Sequence, residues 1–248
     1  MNTITGTMLT RAIRQIAGAA SRNKTLPHLN GILLENTCDR LQLTACDSYR
    51  IAIRTTLPLP GLKQGEKLLI PATVLRDTAQ QLQGTGPVTV TATGQNTATF
   101  ETDGTQITVP LLDSHNYPNL DRYTSLTHPY QYVVARRPLV DSFKWMQSAV
   151  GKQAKVRVWF TVYDMEVAGQ LGDGDEARFS FPVEKVESTG GGRTPDVETA
   201  VNIGFFRAGV EAARTDHVVI QVLDSTSPIV IRSEPEDGYR YVFMPFRK

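Results

Sequence analysis

The chain has 248 residues, of which 40% are hydrophobic and 21% charged, and its formal net charge is +1. That length and composition suit one large or two ordinary soluble domains, with enough apolar residues to fill two cores. A net charge so close to zero excludes a basic-tail reading, so attraction to a polyanion has to come from where the charges sit.

No acidic residue precedes Glu35, yet Arg11, Arg14, Arg22 and Lys24 stand on or beside the first predicted helix, residues 8–20. Leu9, Ile13, Ile16 and Ala20 recur at helical spacing on one face, with Arg11, Arg14, Gly18 and Arg22 on another. Gly18 is about 1 kcal/mol less favourable than Ala inside a helix, which makes the last turn the weak one. Strand-like runs follow at 29–34, 40–45, 51–56 and 67–70, separated by turn signals at 36–39 and 58–61. A second helix starts at Pro71, with Val74, Leu75, Thr78 and Leu82 as its apolar stripe and Thr73, Arg76, Gln80 and Gln83 opposite. Alternating strands at 88–92, 98–102 and 106–111 end this half.

Residues 113–128 contain Pro118 and little periodicity, and read as a linker that divides the chain into 1–124 and 125–248. The same order then begins again. A strand at 130–135 leads to a helix at 138–150, with Leu139, Phe143, Met146 and Val150 inward and Arg137, Lys144, Ser148 and Lys152 outward. Strands at 156–161, 165–168, 177–183 and 199–202 precede a helix at 203–213 that carries Arg207, Glu211 and Arg214 along one side. Strands at 217–223, 229–232 and 239–246 close the chain. A repeat of about 120 residues means duplicated domains, because solenoid repeats run at about 20 to 50.

Over the four helices and their flanks stand twelve basic residues: Arg11, Arg14, Arg22, Lys24, Arg76, Arg136, Arg137, Lys144, Lys152, Lys155, Arg207 and Arg214. Against them are Asp77, Asp141 and Glu211, a balance of +9 that leaves −8 for the rest of the chain. Lys and Arg are good helix formers on any solvated face. Four basic helices in register with a duplicated strand pattern point instead to a surface for the phosphates of nucleic acid.

Catalytic signatures are missing. The sequence has no Walker loop, no dinucleotide fingerprint after a strand and no paired-histidine zinc motif. Gly190-Gly191-Gly192-Arg193 is followed by Thr194-Pro195-Asp196 rather than a helix start, so it reads as a hairpin loop. Gly172-Asp173-Gly174-Asp175-Glu176 lacks the later ligands of a calcium loop and reads as a turn. His28, His115, His128 and His217 are scattered, with no nucleophile elbow nearby. Cys38 and Cys46 form no zinc or redox pair, which fits a reduced cytosolic setting. The opening residues lack a signal pattern, and no apolar run approaches the roughly 18 residues that cross a bilayer. The expectation is a non-enzymatic protein with no metal, no cofactor and no membrane partner.

Four stretches decide the family. They are Thr25-Leu26-Pro27-His28-Leu29-Asn30-Gly31-Ile32-Leu33-Leu34-Glu35, Leu43-Thr44-Ala45-Cys46-Asp47-Ser48-Tyr49-Arg50-Ile51, Tyr117-Pro118-Asn119-Leu120, and Tyr241-Val242-Phe243-Met244-Pro245-Phe246-Arg247. Together, in this order and spanning nearly the whole chain, they resemble the bacterial DNA sliding clamp, the beta subunit of DNA polymerase III. The resemblance implies an α+β fold of two duplicated clamp domains, each with two helices packed on antiparallel sheets. It also implies a processivity factor that encircles double-stranded DNA, with the helices on the inner wall and the twelve basic residues facing phosphate.

The bacterial family has three such domains per chain and this sequence has room for two. The second half resembles the last domain. The first half resembles the first domain in its opening helix, and the middle one in Asp47-Ser48-Tyr49-Arg50-Ile51 and in the linker from Tyr117 to Tyr123. A ring of six domains then takes three chains, as in the archaeal and eukaryotic clamp, proliferating cell nuclear antigen, and the resemblance implies a homotrimer joined head to tail through edge strands. It further implies a hydrophobic cleft for peptides of DNA polymerase and clamp loader, mapped here onto Leu29, Cys46, Ser48, Tyr49, Arg50, Ile51, Pro118, Arg122, Tyr123, Val242 and Met244. Lys248 stands where relatives often end in an apolar residue. The setting implied is the cytoplasm of a bacterial cell, with a cellular, plasmid or phage gene. The rival reading is a non-encircling DNA-binding module or regulator, which would be expected to carry aromatic stacking platforms on strand faces.

Overall fold

A computed structural model describes residues 3–84, 86–93, 96–188 and 195–247. The Gly190-Gly191-Gly192-Arg193 loop and Lys248 lie outside the described residues. The chain divides into two compact units, Met1–Asp121 and Arg122–Lys248.

In the first unit, helix α1 (Gly6–Ile16) is capped by Thr5, whose hydroxyl accepts from the Met8 amide at 3.3 Å. It buries Leu9, Ala12, Ile13 and Ile16 and leaves Arg11 and Arg14 exposed. The weak last turn tightens into a 3-10 turn, Ala17–Ala19, so regular helix stops short of Gly18. A second 3-10 turn, Pro27–Asn30, occupies the start of the expected strand at 29–34.

Strands β1 (Gly31–Thr37), β2 (Arg40–Cys46), β3 (Arg50–Thr56) and β4 (Lys67–Pro71) form antiparallel ladders in the order β3-β2-β1-β4. Pro71 is the last residue of β4 and the N-cap of α2 (Ala72–Gln81), where its missing N–H costs nothing. Helix α2 packs on α1, and the Thr10 hydroxyl donates to the Ala79 carbonyl across the pair. Strands β5 (Thr89–Thr93), β6 (Thr97–Thr102) and β7 (Thr105–Pro110) make a separate three-stranded sheet. Asp103 and Gly104 turn β6 into β7 with φ of 45° and 79°, the two left-handed residues that a two-residue hairpin requires.

The short helix α3 (Asp121–Thr124) lies at the boundary, and Asn119 Oδ1 accepts from the Asp121 amide at its start. The second unit repeats the plan with β8 (Tyr130–Ala135), α4 (Arg136–Val150), β9 (Lys155–Phe160), β10 (Asp164–Gln170), β11 (Glu176–Ser188), β12 (Val197–Asn202), α5 (Ile203–Ala212), β13 (His217–Val222), β14 (Ile229–Glu234) and β15 (Tyr239–Phe243). Its strands follow the order β12-β9-β10-β11-β8-β13-β14-β15, every pairing antiparallel.

The core between these strands and the helices is aromatic. Phe206 lies 4.9 Å from Phe143 and 5.6 Å from Phe243, ring centre to ring centre, and all three are fully buried. Gly209 brings α5 close to the sheet, because a Cβ there would stand 2.5 Å from the Tyr241 ring. The Tyr239 hydroxyl donates to the Gly209 carbonyl at 2.9 Å. Strand β15 ends at Phe243 rather than running to 246, since Pro245 has no amide for the ladder.

Candidate nucleic-acid interface and partner surfaces

Each unit packs one helix pair, α1 with α2 and α4 with α5. The apolar stripe of each helix is taken up by its own core, so the charged residues are left on the opposite side. Arg11, Arg14 and Arg76 are exposed and, among the described residues, form no ion pair. Arg22 and Lys24 are exposed in the segment after α1.

In the second unit Arg137, Lys144 and Arg207 are engaged. Arg137 lies 4.0 Å from Asp141, and Lys144 lies 4.0 Å from Asp141 and 3.6 Å from Glu211. Arg207 reaches Glu211 at 3.0 Å and donates from Nη1 to Gln147 Oε1 across the helix pair. Gln147 is held in turn by donating to the Lys152 carbonyl at 2.8 Å. Lys144, Gln147, Lys152, Gly204, Arg207 and Glu211 line a cleft of about 420 Å³ between α4 and α5. Lys152 and Arg214 are exposed, and the Lys155 ammonium lies 5.7 Å from the centre of the Phe246 ring.

Arg136 departs from the expected outward arrangement. It is half-buried, and its Nε donates to the Thr215 carbonyl at 2.7 Å, which fastens the loop after α5 to the start of α4. Gln147 carries no signal in the sequence, because a glutamine amid apolar helix positions means nothing until its cross-helix partner is known.

Of the residues mapped for partner peptides, those of the first unit gather around β2, β3 and their turn. Asp47 accepts from the amides of Tyr49 and Arg50 at 2.8 and 2.9 Å and from Arg50 Nε at 2.9 Å. This aspartate turn, a local fold that Asp makes readily, pins Arg50 and leaves Tyr49 62% exposed. Cys46 and Ile51 are direct cross-strand partners, both buried, and therefore share one face of the sheet. Leu29 is buried, while Ser48 and Pro118 are exposed. Tyr117 lies against the Cys46 face of β2, with its hydroxyl 3.4 Å from the Cys46 thiol and 3.1 Å from the Thr44 carbonyl.

In the second unit, Arg122 is exposed and its guanidinium stacks 4.5 Å from the centre of the half-buried Tyr123 ring. Val242 is buried in β15, and Met244 is half-buried just past its end. Leu126 and His128 of the preceding segment tie down nearby: Arg240 donates to the Leu126 carbonyl at 3.0 Å, and His128 Nε2 lies 2.6 Å from the Pro228 carbonyl oxygen.

Elsewhere, residues 171–175 form the turn between β10 and β11, with Leu171 and Asp175 paired through their backbones at 2.7 Å. His115 and His217 pair with Asp113 and Glu184. Among the described residues no group of three or more His, Cys, Asp or Glu is placed to hold a metal ion, and no helix is long and apolar enough to cross a membrane.

Two helices packed on antiparallel sheets, occurring twice along the chain, define the DNA-clamp fold. A crystal structure of the DNA polymerase III subunit beta from Pseudomonas aeruginosa superposes with a TM-score of 0.86 at 22% identity, covering 99% of this chain and 65% of that one. The griselimycin-bound DnaN sliding clamp from the same organism matches with a TM-score of 0.85 at 22% identity over 99% of this chain and 64% of that one. Residues 3–119 match the family model described as DNA polymerase III beta subunit, central domain. The beta sliding clamp of Streptomyces coelicolor is 28% identical over 260 residues, covering 99% of this chain and 66% of that protein.

Along nearly its whole length the chain is similar to bacterial DNA polymerase III beta clamps. It spans just under two thirds of the length of these relatives. The opening helix falls inside the central-domain match, which corrects its expected likeness to the family's first domain.

Proposed function

We propose that this chain is a DNA sliding clamp, a non-enzymatic processivity factor of the bacterial cytoplasm that encircles duplex DNA and tethers replication and repair proteins to it. The observation that carries this reading is the basic side of the helix pair in both units of a clamp fold, with the exposed Arg11, Arg14 and Arg76 in one and the exposed Arg137 and Lys144 beside the half-buried Arg207 in the other. Such side chains neutralise phosphates without reading bases, so the protein can hold DNA in any register and still move along it.

A six-domain ring of two-domain chains takes three copies, joined head to tail. Two strand edges suit that joint. Strand β7 pairs with β6 and ends in Pro110, and the first half of β11, which pairs with β10, carries Pro182. Proline is tolerated at sheet edges, where no ladder amide is needed. Beside β11, Trp145 is 54% exposed and meets Phe179 edge-on at 5.5 Å, an aromatic surface that a second copy would cover. Partner peptides would rest on Tyr49 and Pro118 in the first unit and on Tyr123 and Met244 in the second. Methionine at such a surface adapts to varied sequences.

Retention on nicked circular DNA with release upon linearisation tests encirclement, and light scattering tests the trimer. A protein that slips off closed circles as fast as off linear DNA, or a stable monomer at micromolar concentration, refutes the ring. Griselimycin, bound by the Pseudomonas aeruginosa clamp, is a probe for the partner surface. Its binding is expected to weaken at least fivefold in both Tyr49→Ala and Met244→Ala, about 1 kcal/mol each.

A further inference from the structure

The two helix pairs carry similar numbers of cations but treat them differently. In the first unit Arg11, Arg14 and Arg76 stand without a carboxylate within ion-pair distance among the described residues. In the second, Glu211 alone holds two cations from two helices: Arg207 at 3.0 Å on its own helix and Lys144 at 3.6 Å on the other. Gln147 fixes the Arg207 guanidinium from the α4 side, so Arg207 and Lys144 converge on the Glu211 carboxylate at the mouth of one cleft. A carboxylate flanked by a guanidinium and an ammonium occupies the position that a phosphate oxygen of a polyanion would take.

Resting on the reading of the chain as a DNA-holding clamp, we infer that Glu211 is a built-in counter-charge that competes with DNA phosphate for Arg207 and Lys144. It lightens the grip of the second unit relative to the first. The pairs it makes are partly exposed, with side-chain accessibilities between 31% and 49%, and such pairs are weak and exchange easily. A phosphate can displace Glu211, and Glu211 can displace the phosphate. That exchange would let DNA leave this seat quickly while the uncountered arginines of the first unit keep it attracted. Arg207 contacts phosphate in this scheme, and Gln147 is its positioning residue.

The experiment compares equilibrium binding of a fluorescent duplex of random sequence to the full chain over a series of salt concentrations. The proteins are wild type, Glu211→Gln, Glu198→Gln as a control for net charge, and Arg11→Ala/Arg14→Ala as a control for DNA binding itself. Melting curves establish that each is folded. Glu211→Gln is expected to bind about 3- to 10-fold tighter at low salt, with a salt slope steeper by about one unit. Glu198→Gln is expected to change binding less than twofold. The tightening should vanish when Arg207→Met and Lys144→Met are added to Glu211→Gln. If wild type binds and the double arginine variant weakens it, yet Glu211→Gln matches wild type or Glu198→Gln tightens as much, the counter-charge role is overturned while the clamp reading stands. If wild type and Glu211→Gln both fail to bind this linear duplex, the counter-charge role is overturned, while the clamp reading is judged by retention on nicked circular DNA.

Discussion

The Tyr117 hydroxyl accepts a hydrogen bond from the Cys46 thiol at 3.4 Å and donates its own proton to the Thr44 carbonyl at 3.1 Å, fastening the start of the linker to strand β2. Burial pushes both the thiol and the phenol above their ordinary values. Tyr117→Phe removes both bonds while keeping the ring, and should lower unfolding stability by about 1–2 kcal/mol in urea titrations. Cys46 should resist thiol reagents in the folded protein while the exposed Cys38 reacts at once. Equal labelling rates would show that the linker does not stay on β2.

The same pair sets an alkaline limit. Because the folded thiol value lies above the ordinary 9.0, the stability it contributes is fully present below about that pH. It is lost as pH rises from there toward the raised value, since the unfolded chain releases the proton first. Stability measured from pH 8 to 10.5 should fall less in Cys46→Ala than in wild type, and parallel curves would remove Cys46 from the explanation.

On the acid side the group to test is Asp224, in the turn between β13 and β14. Its carboxylate accepts from the amides of Thr226 and Ser227, both at 2.7 Å, and from their hydroxyls at 3.0 and 2.9 Å. These bonds, the Thr226 amide foremost, hold it down to about 2 from 3.8. A depressed carboxylate contributes stability that is present above the ordinary value and lost as pH falls through the depressed one. The gap in melting temperature between wild type and Asp224→Asn should therefore be full at pH 6 and shrink on approach to pH 2. A gap that stays constant would mean that turn geometry rather than charge is being measured.

The order of elements was legible because two periodicities alternate in the sequence without overlap. The pattern at residues 130–135 predicts a strand with the bounds that β8 has, and the weak turn at Gly18 gives way where its helix propensity is poorest. The sequence pattern places the end of strand β11 at 183, whereas the strand runs on to Ser188. Its register shifts between Val183 and Lys185, and such an irregularity breaks the inside-outside alternation on which a sequence reading depends. Helix α3 inside the linker leaves no sequence signal because four residues give no period. At the candidate interface, Arg207 and Glu211 stand one helical turn apart and were legible as neighbours. Lys144 against Glu211, and Gln147 against Arg207, are contacts between helices distant in the chain, which no local pattern encodes. Trp145 follows Lys144 on the helix and is exposed beside Phe179, so its role depends on a strand that the helix pattern could not announce.

Phe206 is where the two helices and the sheet of the second unit meet, with Phe143 on one side and Phe243 on the other. Truncating it to alanine opens a cavity that rigid neighbours cannot close. The expected loss is about 3–5 kcal/mol in chemical denaturation. Trp145→Ala, at an exposed position, should cost less than about 1 kcal/mol in the same assay while lowering the mass in solution. If Trp145→Ala destabilises as much as Phe206→Ala, the tryptophan belongs to the core of its own chain and not to a joint between copies.

Arg11 and Arg14 are three residues apart on α1, so their side chains rise from the same side of the helix, away from the buried stripe of Leu9, Ile13 and Ile16. Neither enters an ion pair among the described residues, so neutralising a phosphate would not require breaking an existing contact. Each phosphate neutralised releases close to one condensed counterion from duplex DNA. The double variant Arg11→Ala/Arg14→Ala should accordingly flatten the plot of log affinity against log salt by about two units, uniformly across DNA sequences, with no change in thermal stability beyond about 0.5 kcal/mol. An unchanged slope would mean that this side of α1 does not face DNA. A loss confined to particular sequences would mean that the arginines read bases, which is incompatible with free movement along the duplex.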